Sequence, residues 1–301
     1  MDVPTPDLYL AASCRHEDQE TLVRELVAPL AARLRDHPEL ETLFFVRMNL
    51  PTWQVRLRFT GPEAWLAGAC RQELFSALAP LGDGGPVLGF ELTHYQREVE
   101  RYGGEEGMRL AEQLYHHDSL ACLELMRLEA AGELQRSRRE LAMLYAERLA
   151  DSLGMHGEDR SRYYRFGYQW AFQTGDWGES EMAALNAHFE QLQPGFQELY
   201  PVRGEAPPEA DLWGSAAAAE VGAELARQLA PWLRRVRAGC ASGSITADLA
   251  YLGWSYAHLL CNRLGIDPAG EAVQRYLMHL YHFRVRGQGS APGPLSKRTS
   301  G

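Results

Sequence analysis

The chain of 301 residues has almost no lysine: Lys297, near the carboxyl terminus, is its single one, although lysine and arginine together number 30. A P-loop needs a lysine on its phosphates, and Schiff-base enzymes need a buried lysine. This scarcity therefore excludes both chemistries. The chain is also acidic, with 40 aspartate and glutamate residues and a formal net charge of -10. A field of that sign argues against nucleic acid as a direct partner.

Cysteine and long apolar runs are also scarce. The 5 cysteines are scattered and never form a CxxC pair, which excludes a zinc ribbon or a thioredoxin-like site. We expect them to be small core residues in a reducing compartment. No apolar run reaches the roughly 18 residues of a membrane-spanning helix, and residues 1–13 lack the basic start of a signal peptide. These features predict a cytoplasmic protein without a membrane segment.

Residues 1–102 alternate strand and helix signals. Apolar or alternating runs predict strands over residues 8–12, 43–48, 53–59 and 88–99, and helical periodicity predicts helices over 17–35 and 63–78. Pro29 predicts a kink or a break in the first helix. The order β-α-β-β-α-β is typical of a ferredoxin-like fold, an antiparallel sheet with two helices on one face.

Residues 103–286 have a different sequence pattern, with long stretches of helical periodicity separated by glycine and proline. The predicted helices cover residues 105–116, 119–131, 134–153, 158–174, 180–193, 216–238, 246–263 and 270–283. Residues 287–301 are rich in glycine, serine and proline and predict a disordered tail. The sequence thus predicts an α+β protein with a ferredoxin-like part, a helical part packed on it, and a tail.

The first candidate functional segment is residues 53–59, WQVRLRF. In a strand its apolar side chains share one face, and Arg56 and Arg58 share the other. Two adjacent guanidiniums repel each other unless an anion lies between them, so a covered face would make this pair a carboxylate-binding device. Arg47 on the preceding predicted strand can join the pair. The alternative is an exposed, solvated basic face.

The second segment is residues 95–104, YQREVERYGG, with Glu98 and Arg101 three positions apart. Its two glycines can adopt positive φ and leave amide groups free before the next helix. Glu98 can accept a proton or orient an arginine, and Arg101 can extend the anion-binding cluster. The alternative is a surface salt bridge beside a turn.

The third candidate is His258, on a mostly apolar predicted helix. Histidine ordinarily titrates near neutral pH and suits proton transfer, although a histidine on such a face is often structural. Residues 116–118 (HHD) and the pair His279 and His282 raise the alternative of a metal site. Neither set forms HExxH or has a third ligand evident in the sequence. We therefore expect no metal and no cofactor.

Together these segments resemble the thiopeptide-type bacteriocin biosynthesis domain, the C-terminal, glutamate-eliminating domain of lantibiotic dehydratases, here as a free-standing chain. The run FFVRMNLPTWQVRLRF resembles the family's FFIRY…P…HLRLRF, and YQREVERYGGEEGMRLAEQLYHHDS resembles its YxREVERYGG block. SYAHLLCNRLGI resembles its late H-x-x-x-N-R helix. The likeness spans most of residues 1–285. Gln54 and Met48 depart from the pattern, where the family often has histidine and tyrosine.

In that family a partner protein transfers glutamate from glutamyl-tRNA to serine or threonine of a precursor peptide, and the elimination domain expels glutamate to leave dehydroalanine or dehydrobutyrine. The resemblance implies that this chain is such a lyase. It also implies a separate glutamyltransferase as partner and no direct contact with tRNA. The implied catalytic residues are Glu98, Arg101 and His258, and the implied substrate-binding residues are Arg47, Arg56 and Arg58.

Two alternatives stay open. The pyridine synthases of thiopeptide pathways share this fold and join two dehydroalanines by a formal [4+2] cycloaddition, with macrocycle formation and release of the leader peptide. That branch has lost much of the elimination set, so its retention here favours the lyase. The second alternative is a non-catalytic scaffold that binds peptide and recruits the transferase. The oligomeric state is open as well, with a homodimer as one alternative.

Overall fold

A computed structural model describes residues 6–174, 177–200, 207–289 and 291. It contains a four-stranded sheet of β1 (Asp7–Ser13), β2 (Thr42–Met48), β3 (Gln54–Thr60) and β4 (Gly89–Thr93). The strand order is β2-β3-β1-β4, and all neighbours pair antiparallel. Because β3 lies between β1 and β2, this is the split arrangement that the sequence predicts. The α+β, ferredoxin-like prediction is confirmed.

Two helical stretches cover one face of the sheet. The first comprises a 3-10 turn (His16–Asp18), α1 (Gln19–Leu22), a π-helical segment (Val23–Val27) and α2 (Ala28–Leu34). The second comprises α3 (Glu63–Trp65), a π-helical segment (Leu66–Cys70), α4 (Arg71–Leu78) and a 3-10 turn (Ala79–Leu81). Pro29 has no N–H to donate, and the α-helical pattern is interrupted just before it, as predicted.

The core under these helices follows from strand alternation. Leu10, Leu57 and Phe59 are completely buried against the helices, together with Leu22 and Leu26. Each such side chain contributes about 1.5–3 kcal/mol of burial free energy. The opposite face of β3 carries Arg56 and Arg58, so the register that buries the apolar side chains also fixes where the two arginines lie.

The fourth strand is shorter than predicted. It ends at Thr93, and residues 94–98 have no regular structure. Tyr95 turns instead onto the face of the sheet that carries the arginines, where its ring lies 5.4 Å from Tyr9 and 5.5 Å from Phe44. The chain therefore leaves the sheet edge to cover that face, and the prediction of a strand over residues 88–99 is wrong in its second half.

The rest of the described chain is helical. Its elements are α5 (Glu105–Ala130), α6 (Arg138–Ser152), α7 (Gly157–Thr174), α8 (Glu179–Leu199), α9 (Glu209–Trp213), α10 (Ala216–Ser242), α11 (Leu249–Arg263), α12 (Pro268–Leu280) and a π-helical segment (Tyr281–Val285). The predicted helices over 105–116 and 119–131 are one helix, since residues 116–118 fit within it. The short α9 was not predicted. Of the predicted tail, only 287–289 and 291 are described.

The helical part covers the second face of the sheet. Phe44 of β2 packs on Tyr115 of α5 at a ring distance of 5.4 Å, and both belong to the large core of the helical part. The face that carries the two arginines is thus covered over Arg58, while Arg56 stays half-buried. The pair is therefore not the exposed, solvated surface of the alternative prediction. Within the described ranges, no helix is both long and apolar enough to cross a membrane.

Candidate active site

Arg101 lies in the connection between β4 and α5, with about a quarter of its side chain exposed. Its Nη1 donates to both carboxylate oxygens of Glu98 at 3.0 and 3.1 Å, and its Nη2 lies 3.5 Å from Ser255 Oγ. Its Cζ lies 5.8 Å from the ring of Trp254. The predicted salt bridge therefore exists, but its arginine also packs on α11 and is more than a solvated surface group.

The two glycines of this connection have the predicted conformation, with φ of 76° at Gly103 and 115° at Gly104. Their amides are not free, however. The Gly103 N–H donates to the Glu100 carbonyl and the Gly104 N–H to the Val99 carbonyl. The glycines instead let the turn approach the loop before α11, where the Thr246 N–H donates to the Gly103 carbonyl at 3.0 Å. This contact fixes Arg101 relative to α11.

We expect Gly103→Ala to lower the free energy of unfolding by about 2–5 kcal/mol. A Cβ there would lie 2.4 Å from the backbone nitrogen of Ala247, in a backbone conformation that alanine disfavours. Gly132→Ala is the matched control, because φ is 71° and nothing lies within 4 Å of its Cβ position; it should cost only about 1 kcal/mol. Urea unfolding measures both, and equal losses would contradict the close contact.

His258 is held by a buried carboxylate. Its Nδ1 lies 2.6 Å from Oε2 of Glu271, which is in the first turn of α12 and 3% exposed. The His258 side chain is 29% exposed, and its ring lies 5.8 Å from Trp254. A carboxylate that accepts a hydrogen bond from Nδ1–H leaves Nε2 as the unprotonated, basic nitrogen of the neutral imidazole. No other described residue forms a hydrogen bond with Nε2 of His258, so this atom can accept a proton.

Trp254 brings these groups together. The Arg101 guanidinium and the His258 imidazole each lie 5.8 Å from its indole, and Ser255 adds a hydroxyl beside Arg101. The structure thus places the predicted residues Arg101 and His258 beside one tryptophan of α11, and the third, Glu98, is bonded to Arg101. We call these residues, with Ser255 and Glu271, the Trp254 cluster. It combines a base, a cation and partial exposure to solvent.

The two sheet arginines differ in their surroundings. Arg58 is 3% exposed and pairs with Asp7 at 2.7 Å and Glu112 at 2.6 Å, while its guanidinium lies 4.1 Å from the ring of Tyr95. Arg56 is half-buried, and its Nε donates to the Gln54 side chain at 2.9 Å. Within the described part of the chain no carboxylate pairs with Arg56. Arg56 is therefore the member of the pair that can receive a carboxylate from outside.

Arg47 does not join this pair. It lies opposite Val55 in the β2–β3 register, and Val55 faces away from Arg56 and Arg58. Its Nη2 donates to Glu20 at 2.7 Å, and its Nε donates to the backbone carbonyl of Arg263 at 3.1 Å. Side chains alternate between the two faces along a strand. Val46 lies opposite Arg56 and shares its face, so the neighbouring Arg47 lies on the other face. The expectation that the three arginines form one cluster is not met.

A row of aromatic rings lies between the sheet arginines and the Trp254 cluster. From Arg58 the contacts run through Tyr95, Phe44, Tyr115 and Tyr102 to Arg101. Over the ranges described above, no hydrogen bond, ion pair or ring contact joins Arg56 or Arg58 directly to Arg101 or His258. The candidate site therefore has two parts, and a ligand that uses both must extend past this row.

The end of α11 explains the asparagine and arginine of the H-x-x-x-N-R pattern. Asn262 accepts from the Arg47 N–H and donates to the Arg47 carbonyl, both at 2.8 Å. Arg263 donates from Nε to the Phe45 carbonyl at 3.0 Å. Both side chains thus bond to the backbone of β2 along its unpaired edge. Because α11 also carries His258, these bonds fix the position of His258 relative to the sheet.

Two of the histidines that raised a metal site have other partners. Nδ1 of His116 accepts from the Leu43 N–H at 3.0 Å, and burial lowers the pKa of this imidazole, which favours that neutral acceptor. Nε2 of His282 lies 2.8 Å from buried Glu147. Nowhere in the part of the chain that is described do three histidine, cysteine or acidic side chains gather as metal ligands.

Three residues of the site were missed from sequence. Arg97 donates to both carboxylate oxygens of Glu112, at 3.0 and 3.1 Å, and so joins the Arg58 ion pairs, although it stands inside the quoted YQREVERYGG motif. Trp254 and Glu271 lie near His258 in sequence. An acidic residue at the buried start of a helix is the signal that can identify Glu271, because such a carboxylate needs a partner.

Comparisons with known proteins place the fold in a family. The profile described as "Lantibiotic biosynthesis dehydratase C-term" matches residues 8–282, so the chain belongs to the lantibiotic dehydratase C-terminal family. Subtilin biosynthesis protein SpaB of Bacillus subtilis is 29% identical over 137 residues, which are 46% of this chain and 13% of SpaB.

Three solved structures share the fold. The tRNA dependent lantibiotic dehydratase MibB from Microbispora sp. 107891 has a TM-score of 0.67 at 21% identity, over 94% of this chain and 29% of MibB. TsrL has a TM-score of 0.63 at 18% identity, over 93% of this chain and 95% of TsrL. The pyridine synthase TbtD from thiomuracin biosynthesis has a TM-score of 0.65 at 17% identity, over 93% and 99%. The chain thus spans a small part of SpaB and MibB.

Proposed function

We propose that this protein is a carbon–oxygen lyase that eliminates glutamate from glutamylated serine or threonine in a ribosomal precursor peptide. The product is dehydroalanine or dehydrobutyrine. The observation that carries the proposal is the pairing of His258 with buried Glu271, 2.6 Å apart, next to Arg101 around Trp254. Membership of the lantibiotic dehydratase C-terminal family supports a peptide as the substrate.

The proposed chemistry needs a base and a positive field. His258 takes the proton from Cα of the esterified residue through Nε2, and the resulting electron pair forms the Cα–Cβ double bond. The bond between Cβ and the ester oxygen breaks, and glutamate leaves as a carboxylate. Arg101 stabilises negative charge on the leaving group or on the enolate, and Glu98 orients Arg101. The protonated His258 side chain then releases its proton to solvent.

The remaining arginines have separate parts in this proposal. Arg56 binds a carboxylate of the peptide beyond the row of aromatic rings, since its guanidinium has no carboxylate partner in the described part of the chain. Arg58 and Arg47 hold the framework through their own ion pairs. The glutamyl group is supplied by a separate glutamyltransferase. This chain spans only 29% of MibB. We therefore propose the elimination step alone for it, and not the activity of the whole of MibB.

The direct test is mass spectrometry of a synthetic peptide with one glutamylated serine, incubated with this protein alone. We expect the loss of glutamate and a dehydroalanine in its place, without tRNA or ATP. A control peptide with free serine should stay unchanged, because hydroxide is a far poorer leaving group than a carboxylate. An intact glutamyl ester after prolonged incubation would contradict the proposed elimination.

A second candidate function is the [4+2] cycloaddition of two dehydroalanines. The pyridine synthase TbtD shares the fold over 93% of this chain, with a TM-score of 0.65. A fully dehydrated linear peptide distinguishes the two functions. Formation of a macrocycle with release of the leader peptide from that substrate would support the cycloaddition, while elimination from the glutamylated peptide would support the lyase.

A further inference from the structure

A cleft of about 790 Å³ lies outside the Trp254 cluster, between α10 and the loop that leads into α11. The turn after α6 closes one side of it, and Ala247 and Leu249 line the other. Its charged lining residues are Arg234, Arg237 and Asp248. We call this the α10 cleft. Nothing in the proposed elimination uses it.

The two arginines of the α10 cleft lie on one face of α10, because positions three apart in a helix are neighbours. Gly154 lies directly against Arg237: a Cβ at this glycine would be 3.0 Å from the Arg237 Cζ. The guanidinium therefore packs over bare backbone. A larger residue at position 154 would displace it from the cleft wall.

Among the described residues, no carboxylate pairs with these two guanidiniums. No ion pair or side-chain hydrogen bond engages Arg234 or Arg237 in the part of the chain that is described. The acid of the cleft is already occupied, since Asp248 Oδ1 accepts from the amides of Ala250 and Tyr251 and its Oδ2 pairs with Arg162. In a chain with a net charge of -10, the α10 cleft is thus a local excess of positive charge.

The α10 cleft lies close to the candidate active site. Ala247 in its lining follows Thr246, which bonds to Gly103 beside Arg101. Leu249 starts the helix that carries His258, and nine residues of helix span about 13 Å. An extended peptide covers that distance with about four residues. A single peptide can therefore occupy both places.

We propose that the α10 cleft binds an acidic stretch of the peptide substrate a few residues from the position that is modified. This inference rests on the proposed function, which makes a peptide the substrate. Aspartate and glutamate side chains suit the site because guanidinium groups bind carboxylates through paired, charge-assisted hydrogen bonds. The acidic stretch would hold the peptide while its glutamylated residue enters the Trp254 cluster.

Binding is tested with the full-length protein and two fluorescein-labelled peptides, identical except that one has three consecutive glutamates and the other three glutamines. We expect the acidic peptide to bind roughly tenfold to a hundredfold more tightly in fluorescence anisotropy. The double variant Arg234→Gln/Arg237→Gln should remove this preference. Arg227→Gln is the control on the same helix, since Arg227 is exposed and paired with Glu224, and it should keep the preference.

Three results would overturn the proposal: no preference for the acidic peptide, a preference that survives in the double variant, or tighter binding of an RNA oligonucleotide that depends on the same two arginines. Thermal unfolding of the double variant excludes misfolding. A kinetic assay separates this inference from the proposed function. The double variant should raise KM for an acidic glutamylated peptide and leave kcat unchanged, whereas absence of elimination in the wild type would contradict only the function.

Discussion

Replacement of His258 by alanine is expected to slow glutamate elimination by roughly 10²–10⁴-fold, the usual contribution of a positioned general base. The fold should persist, because His258 is partly exposed and the buried Glu271 keeps a second cation, Arg275, whose Nε lies 3.6 Å from Glu271 Oε1. The single-turnover rate with a glutamylated peptide measures the effect. A scaffold that only binds peptide would have no such dependence, so this variant also separates the enzyme from the scaffold.

A substitution of Glu271 tests the role of His258 in a second way. Glu271→Gln keeps a hydrogen-bonding side chain at His258 Nδ1 but removes the negative charge that stabilises the imidazolium. We therefore expect a loss in kcat. His188→Ala is the matched control, because this histidine lies exposed on α8, away from the cluster. If His258→Ala turned over as fast as this control, His258 could not be the base.

The second large effect concerns stability. Arg58→Ala is expected to lower the free energy of unfolding by about 3–5 kcal/mol, because it removes the cation of Asp7 and leaves the largely buried Glu112 with Arg97 alone. Arg56→Ala should change stability by less than about 1 kcal/mol and weaken substrate binding instead. Urea unfolding of both variants, with KM for the glutamylated peptide, separates a framework arginine from a binding arginine.

A double-mutant cycle makes this distinction sharper. In a Glu112→Gln background Arg58→Ala should cost less than in the wild type, because part of its loss is already present. Arg56→Ala should cost the same in both backgrounds. An Arg58→Ala protein as stable as the wild type but unable to bind substrate would assign Arg58 to binding and contradict the framework role.

The sequence predicted the sheet well because its signals are local. Alternation in WQVRLRF placed Arg56 and Arg58 on one face, and the order of the elements implied the strand order. What it missed depends on distant residues. The partners that occupy Arg58, Asp7 and Glu112, are 51 and 54 positions away, and no periodicity identifies them.

Two further differences have the same cause. Arg47 stands in the resembling motif, but its face is set by the β2–β3 register, which places it opposite Val55. The second half of the predicted fourth strand alternates like a strand, yet Tyr95 finds its contacts on another layer of the molecule. A sequence pattern gives the side-chain period, while tertiary contacts decide where a strand ends and which charges are neutralised.

The bonds that Asn262 and Arg263 make to β2 have a consequence for self-association. β2 is an edge strand of the sheet. An edge strand with unpaired backbone N–H and C=O groups is a template for intermolecular β-pairing and aggregation. Here side chains from α5 and α11 occupy backbone groups of Leu43, Phe45 and Arg47. The helical part therefore protects the sheet from unwanted strand addition on this side. The opposite outer strand, β4, is only five residues long, which limits the template that it offers.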